Sequence, residues 1–278
     1  SLVPDTLTVL RLNVCFFPVA DSYLYGLKPW RERIASIIDC LAAQDADLLC
    51  LQEVFDIEAA YALAEALQDR YAHFYMHIAP KSIGLSSGLW VASRYKMEDP
   101  HFVLFSGMVG REVFGNKGVF DFKVVSQNVP FAHILNTHLL SEAGELAAKL
   151  REKHLASVMS RIDRDVAIPT LVVGDLNIHY EGEEYHRHSF FSYFKDLFHP
   201  KSETYSSYFE DCVRLIINGP HEKAQILDYS LLLKPNREQG SDSKAQIVPM
   251  YHLENPQRAL SDHHGLYTIL RPLHNSVK

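Results

Sequence analysis

Two short stretches of this chain hold residues whose types and spacing can do chemistry. Asp175 and Asn177 close the run Thr170-Leu171-Val172-Val173-Gly174-Asp175-Leu176-Asn177, and Asp262 and His263 stand side by side in Ser261-Asp262-His263. In an extended segment residues i and i+2 point to the same side, so a carboxylate and an amide arrive together at the end of an apolar run. A carboxylate suits a hard cation such as Mg²⁺, and an amide hydrogen-bonds an anion without adding charge. A histidine moves protons near neutral pH. Asp-x-Asn is also ordinary turn chemistry, with Asx hydrogen bonds serving only the backbone. The pair alone does not decide between these readings.

Other polar residues close other apolar runs. Asn13 ends an alternating segment over residues 6–14, Glu53 ends the apolar run 47–53, and His138 ends the segment 131–139. Asp228 interrupts the run 226–233, where a buried carboxylate needs a partner. Lys117 lies in the turn Gly115-Asn116-Lys117-Gly118, between glycines that let backbone approach closely. There it is either solvated or reaches a phosphate. Each residue taken singly has a plain structural reading: a turn residue for Asn13, a satisfied strand-end histidine for His138. As a set they have a chemical logic. Carboxylates and amide oxygens hold Mg²⁺, histidines move protons or donate to phosphate, and a carboxylate such as Asp228 fixes a histidine tautomer.

These groups need strands to deliver them. Residues 6–14 read as a strand, and Trp30, Ile34, Ile37, Ile38 and Leu41 fall at helical spacing behind Pro29. A second buried strand over 47–53 and a helix over 58–70 follow. Further strands are expected at 88–93, at 119–124 after the Lys117 turn, and at 131–139. A long amphipathic helix over 145–163 leads into the Asp175 strand, which Gly174 is expected to break at its carboxyl end. Strands at 226–233 and 266–270 complete the set, with the polar segment 234–260 between them. The aromatic residues from Phe16 to Trp30, Tyr23 and Tyr25 among them, read first as anchors tucked onto the core and second as a substrate entrance or membrane contact.

Composition narrows the classes. The 278 residues carry 27 basic and 34 acidic side chains, a net charge of −7, which does not favour a phosphate-backbone binder. No apolar run approaches the ~20 residues of a membrane span. The expected chain is therefore soluble or peripheral to a membrane, and it would be a secreted one if a signal had been removed from it. Cys15, Cys40, Cys50 and Cys212 form no C-x-x-C pair, and the first three sit in apolar segments as buried thiols. His186 and His188 lack the partner set of a zinc site. No repeat or linker divides residues 1–278, so one domain is expected.

The order of the motifs resembles the endonuclease/exonuclease/phosphatase superfamily of metal-dependent phosphodiesterases and phosphatases. Leu12-Asn13, Leu51-Gln52-Glu53-Val54, Asn136-Thr137-His138-Leu139, Gly174-Asp175-Leu176-Asn177, Leu227-Asp228-Tyr229 and Ser261-Asp262-His263 carry that resemblance in register. It implies a four-layered α/β sandwich of the DNase I-like type, two packed, mainly antiparallel sheets flanked by helices. Within the superfamily the chain is similar to neutral sphingomyelinases, through Gly115-Asn116-Lys117-Gly118-Val119 and the helix after His138. The tryptophan before G-D-x-N and the arginine after it that mark inositol polyphosphate 5-phosphatases are missing, since Ile178-His179-Tyr180 follows. The aromatic-tipped hairpin of secreted bacterial members has only a modest counterpart in Val248-Pro249-Met250-Tyr251-His252.

The resemblance also implies roles. Glu53 would be the principal metal ligand with Asn13 beside it, and Asp175 would orient or activate water. Asn177 and His138 would bind phosphate oxygens, with Lys117 a secondary contact. His263 would be the general base, oriented by Asp228, with Asp262 on the metal side. The implied activity is Mg²⁺-dependent (or Mn²⁺-dependent) hydrolysis of a phospholipid at a membrane surface, sphingomyelin giving ceramide and phosphocholine. A phosphatase acting on inositol phosphates or another small ester is the alternative, ahead of a non-catalytic binding protein or a nuclease.

Overall fold

Nine of the ten residues of the first strand, β1 (Leu7–Phe16), are buried. Burial on both faces is what a central strand needs when layers cover its sheet on each side. The computed structural model describes residues 3–18, 29–79, 85–163, 168–204, 225–234, 242–251 and 260–271, and it places β1 in the middle of a six-stranded sheet. The other strands of that sheet are β2 (Leu48–Val54), β3 (His73–Tyr75), β4 (Trp90–Ser93), β11 (Lys244–Val248) and β12 (Gly265–Leu270), in the order β11-β12-β1-β2-β4-β3. The second sheet holds β5 (Lys96–Leu104), β6 (Gly118–Ser126), β7 (Val129–His138), β8 (Thr170–Asp175), β9 (Phe194–Asp196) and β10 (Asp228–Leu233), in the order β5-β6-β7-β8-β10-β9. Each sheet is antiparallel except for one parallel pair, β1 with β2 and β7 with β8.

Alternation along the strands divides the apolar residues into layers. Leu7 and Val9 of β1, Leu48 and Cys50 of β2, Ile134 of β7 and Val173 of β8 meet between the sheets. Leu10 and Leu12 face outward onto α1 (Ile34–Gln44) and α2 (Ile57–Leu67), through Ile37, Leu41 and Leu63. Leu135 and Val172 face outward on the other side, onto Leu155 and Val158 of α3 (Glu145–Ser160). Helices, sheet, sheet and helix therefore stack as four layers, the sandwich expected from the motif order. A short helix, α4 (Glu183–Arg187), follows β8. The Asp56 side chain caps α2 by accepting from the backbone N–H groups of Glu58 and Ala59.

Three differences from the sequence reading have local causes. The helix expected from Pro29 opens as a separate 3-10 turn, Trp30–Glu32, and the α-helix starts only at Ile34. Arg33, between them, is drawn inward by donating to the Val14 carbonyl at 2.9 Å and the Leu260 carbonyl at 2.8 Å. Gly174 does not break β8. It pairs with Tyr229 inside the strand, and a Cβ there would lie 2.0 Å from the Thr137 carbonyl oxygen of β7. The glycine is needed for close passage of neighbouring strands, not for a turn. Lastly β3, β5, β9 and β11 were not expected from the sequence.

Of the aromatic segment, Tyr23 and Tyr25 lie outside the described residues, as do Cys212, Gly240, Ser241 and His252. Phe16 packs on Trp30 with ring centroids 6.2 Å apart, and Phe17 on Phe55 at 5.1 Å, which is anchoring. Cys15, Cys40 and Cys50 are buried and form no disulfide among the described residues.

Candidate active site

Along the inner face of the sheets the side chains change character at one level. Val9 is followed two residues later by Arg11 and then Asn13, Cys50 by Gln52, Ile134 by Asn136 and His138, and Val173 by Asp175. Each step of two returns to the same face, so one end of the inter-sheet layer is built from polar groups. Asp228, the first residue of β10, is paired with Asp175 across β8. The segment entering β12 adds His263, and Ser261 fixes that segment by donating to the Asn13 carbonyl at 2.6 Å.

The centre of this layer is His263. Its Nδ1 lies 2.8 Å from Asp228 Oδ2 and its Nε2 3.4 Å from Asp175 Oδ2. Asn13 Nδ2 donates to the same Asp175 oxygen at 3.2 Å. The His138 Nε2 stands 3.6 Å from both Asp175 Oδ2 and Glu53 Oε1. Asn177 donates its backbone N–H to Asp175 Oδ1 at 3.0 Å and its side-chain amide to the Leu139 carbonyl at 3.0 Å. The Asx turn and the clustered polar pair are thus one arrangement. A cavity of about 700 Å³ opens here, lined by Glu53, Asp175, Asn177, Asp262 and His263 among others.

Three non-glycine residues in the left-handed backbone region also line that cavity: Cys15 (φ 54°), Glu53 (φ 59°) and Asn177 (φ 51°). Such residues cost of order 1–3 kcal/mol each and gather where geometry serves something other than folding. The turn at Glu53 coincides with a register shift between β1 and β2, which releases the carboxylate from the ladder toward the cavity.

Burial and neighbouring charge set the protonation of the cluster. Burial, with Asp262 adding to it, pushes the Glu53 carboxyl up to about 7. Burial also raises Asp175, and Asp228 acts in the same direction. Asp228 goes the other way: burial opposes its charge, but Arg11 and His263 outweigh it and hold the carboxyl below the usual range. Burial likewise resists charge on His263, yet Asp228, Asp175 and Asp262 together carry it up to about 10. Burial and the nearby Lys117 ammonium push His138 well below the ordinary histidine value.

The half-buried carboxylates Glu53 and Asp262, which repel each other, are what a divalent cation would relieve, and hard oxygen donors suit Mg²⁺. Asp175, Asp228 and His263 also converge within 4.8 Å of one another. That second grouping fits a cation less well, since Asp228 already carries the Arg11 guanidinium on one oxygen and His263 on the other.

Lys117 does not reach the cavity. It is 3% exposed, and its three N–H groups meet Glu112 Oε1 at 2.8 Å, Leu139 O at 3.0 Å and His138 Nε2 at 3.1 Å. An ammonium has three donors, so none is left for a phosphate. Because Lys117 only donates, His138 carries its lone pair at Nε2 and its proton at Nδ1. The Nδ1 atom is buried with no hydrogen-bond partner among the described residues.

Sequence reasoning missed Arg11, Gln52, Asn136 and the pair Arg151–Glu184. Arg151 binds Glu184 through two N–H groups at 2.8 and 2.7 Å and donates to the carbonyls of Leu140 and Glu142, holding one rim of the cavity. The available signal for Arg11 was a charge inside an alternating apolar strand, which demands a partner as Asp228 does.

Residues 12–213 match the model of the Endonuclease/Exonuclease/phosphatase family. The chain belongs to that family. Sphingomyelin phosphodiesterase 5 of Danio rerio is 26% identical over 162 residues, which are 50% of this family member and 30% of the zebrafish protein. Sphingomyelinase C of Listeria ivanovii is 25% identical over 160 residues, 50% of this chain and 48% of that one. The matched stretch thus spans less than half of either relative. The structure of Staphylococcus aureus beta toxin, a double mutant with bound magnesium ions, superposes with a TM-score of 0.77 at 18% identity, over 96% of this family member and 100% of the toxin. That similarity shows a shared fold.

Proposed function

We propose that this chain is a Mg²⁺-dependent phosphodiesterase that hydrolyses a phospholipid headgroup, converting sphingomyelin to ceramide and phosphocholine. The observation that carries the reading is the His263 imidazole held between Asp228 at 2.8 Å and Asp175 at 3.4 Å, beside Glu53 at the wall of one cavity. Kinship to two sphingomyelinases supports the substrate. So does charge. Glu53, Glu142, Asp175, Glu183, Glu184 and Asp262 line the cavity, with Arg151 and the histidines His179 and His263 as the opposing groups. Such a lining attracts a cationic headgroup and repels a polyphosphate.

In this reading Glu53, with Asn13 beside it and Asp262 opposite, would hold the cation, which supplies Lewis acidity at the phosphoryl oxygen. Asp175 orients the attacking water. Asn177 faces the phosphate oxygens, whereas His138, expected to bind them too, has its Nε2 lone pair taken by Lys117 and packs behind Glu53 and Asp175 without donating to the phosphate. With the cation bound, the carboxylates that carry His263 up to about 10 would be partly neutralised. The imidazole would then lose its second proton and accept the water proton as the new P–O bond forms in line with the departing ceramide oxygen, which leaves with the electrons of the broken P–O bond and takes a proton from solvent. Asp228 keeps the imidazole in the tautomer and orientation that this requires.

Among the described residues no helix is long and apolar enough to cross a membrane. The 3-10 turn Gly110–Phe114 exposes Val113 (57%) and Phe114 (72%). It is tied to the cavity rim, because Glu112 accepts from the Ser141 backbone N–H at 3.1 Å and Ser141 lines the cavity. That turn is where the protein would meet a lipid surface.

The test is phosphocholine release from sphingomyelin vesicles with Mg²⁺, after EDTA, and after Mg²⁺ or Mn²⁺ is restored. Release that stops with EDTA and returns with the metal is expected. Release that persists after exhaustive metal removal contradicts the site. Phosphate release from an inositol phosphate, with none from sphingomyelin, overturns the substrate.

A further inference from the structure

Arg11 has no part in the chemistry above, yet it is fully buried and reaches from one sheet to the other. Its Nη1 pairs with Asp228 Oδ1. Its Nε donates to Gln52 Oε1 at 3.1 Å, and Nη2 donates to the same oxygen. Gln52 passes the contact on, donating to Asn136 Oδ1 at 2.7 Å, and Asn136 donates to the Leu51 carbonyl at 3.2 Å. The guanidinium is therefore fixed at both edges by groups that are themselves fixed.

A buried ion pair is a poor device for stability, since apolar side chains of similar volume often do as well. The geometry offers another use. An aspartate carboxylate turns easily about χ2, so a single hydrogen bond to a histidine leaves its plane free. Asp228 is not free, because Arg11 makes an ion pair with Oδ1, His263 Nδ1 lies 2.8 Å from Oδ2, and the Thr204 side chain adds a hydrogen bond to the carboxylate. The Arg11 fork suits this task as a lysine would not, because its planar donors engage Asp228 and Gln52 at once.

We propose that Arg11 is a positioning residue: it clamps one oxygen of Asp228 so that the other is presented to His263 Nδ1, which aims His263 Nε2 at the Asp175 side of the cavity. This rests on the reading that His263 handles the proton in phosphodiester hydrolysis.

The experiment compares wild type with Arg11→Met and Arg11→Lys. It reads kcat and KM on sphingomyelin vesicles with Mg²⁺, thermal melting, and the imidazole N–H proton resonance of His263, identified by its absence in His263→Ala. Arg11→Met is expected to lower kcat by about 10²-fold with KM within twofold, the lower end of what a general base contributes. Its His263 N–H resonance is expected to shift or vanish. Arg11→Lys keeps the charge without the fork, and is expected to recover about tenfold of kcat and part of the resonance while melting near wild type. If Arg11→Met does not fold, Arg11→Lys decides alone: wild-type kcat with an unmoved resonance overturns the inference. An unmoved resonance in a folded Arg11→Met overturns it as well. Should wild type hydrolyse no sphingomyelin, the functional reading falls, and the resonance still decides what Arg11 does.

Discussion

Replacing Gly174 by alanine tests how the fold carries the site. A Cβ at this position would sit 2.0 Å from the Thr137 carbonyl oxygen and 2.9 Å from its carbon. Both atoms belong to the backbone of the neighbouring strand, so no side chain can swing aside. Because Cβ contacts under 3.0 Å do not occur, β7 and β8 must part by at least about 1 Å. The pair is parallel and buried, and its last partners are His138 and Asp175. Overpacking of this kind costs about 3 kcal/mol. For a chain of this size that lowers the melting temperature by roughly 6–12 °C. Asp175 is the next residue, so a displacement of about 1 Å reaches the cavity, where such a shift can cost ~10²-fold in rate. Melting followed by circular dichroism, with phosphocholine release assayed well below the transition, separates the two effects. A variant that melts within about 2 °C of wild type would refute the argument, because it would show that the strands part at no cost.

His263→Ala should lower phosphocholine release by ~10²–10⁴-fold, the usual contribution of a general base, while still folding, though with a lower melting temperature because Asp228 and Asp175 lose their buried partner. Near-wild-type turnover would sink the proposed role. Phe114→Ser should weaken co-sedimentation with sphingomyelin vesicles several-fold and leave hydrolysis of a soluble choline phosphodiester unchanged. Equal loss on both substrates would place Phe114 in the site and not on a lipid-facing rim. His154 stacks on Phe105 at 4.4 Å, and burial pushes its imidazole down to about 4. An unfolded histidine titrates near 6.5, so between the two values the unfolded chain binds the extra proton. His154 therefore costs the fold nothing above about pH 6.5, and its contribution declines as pH falls from there to about 4, by about 3 kcal/mol in all. His154→Phe should make urea-derived stability fall less steeply over that window; an unchanged slope would show that His154 is not the group responsible.

The central strands were legible from sequence, and the reason is their burial. β1, β2, β7, β8 and β10 lie inside their sheets, so their apolar runs are nearly continuous. The four unexpected strands, β3, β5, β9 and β11, are the four sheet edges. An edge pairs on one side only and faces solvent, so its composition need not be apolar. β5 carries Asp99 and Pro100 within Lys96–Leu104, and β11 opens on an exposed lysine. Charge and proline there suit an edge that must not pair further, and they erase the strand signal.

The grouping of Asn13, Glu53, His138, Asp175, Asn177, Asp228 and His263 followed from their places at strand ends. Its inner half did not. Arg11, Gln52 and Asn136 sit one alternation deeper, and only the register across two sheets shows that they touch. Lys117 was expected to be solvated or to reach a phosphate, because the glycines around it let backbone approach closely. In the structure the lysine folds back beneath His138.

The left-handed backbone at Cys15, Glu53 and Asn177 also bears on how this chain would respond to selection. At each position glycine would relieve conformational strain, and at Glu53 it would also remove a half-buried, repelled carboxylate. Selection for heat resistance alone should therefore drift toward glycine at these sites and discard the activity on the way. With cysteine, glutamate and asparagine at these positions, thermostability can be raised only elsewhere in the molecule.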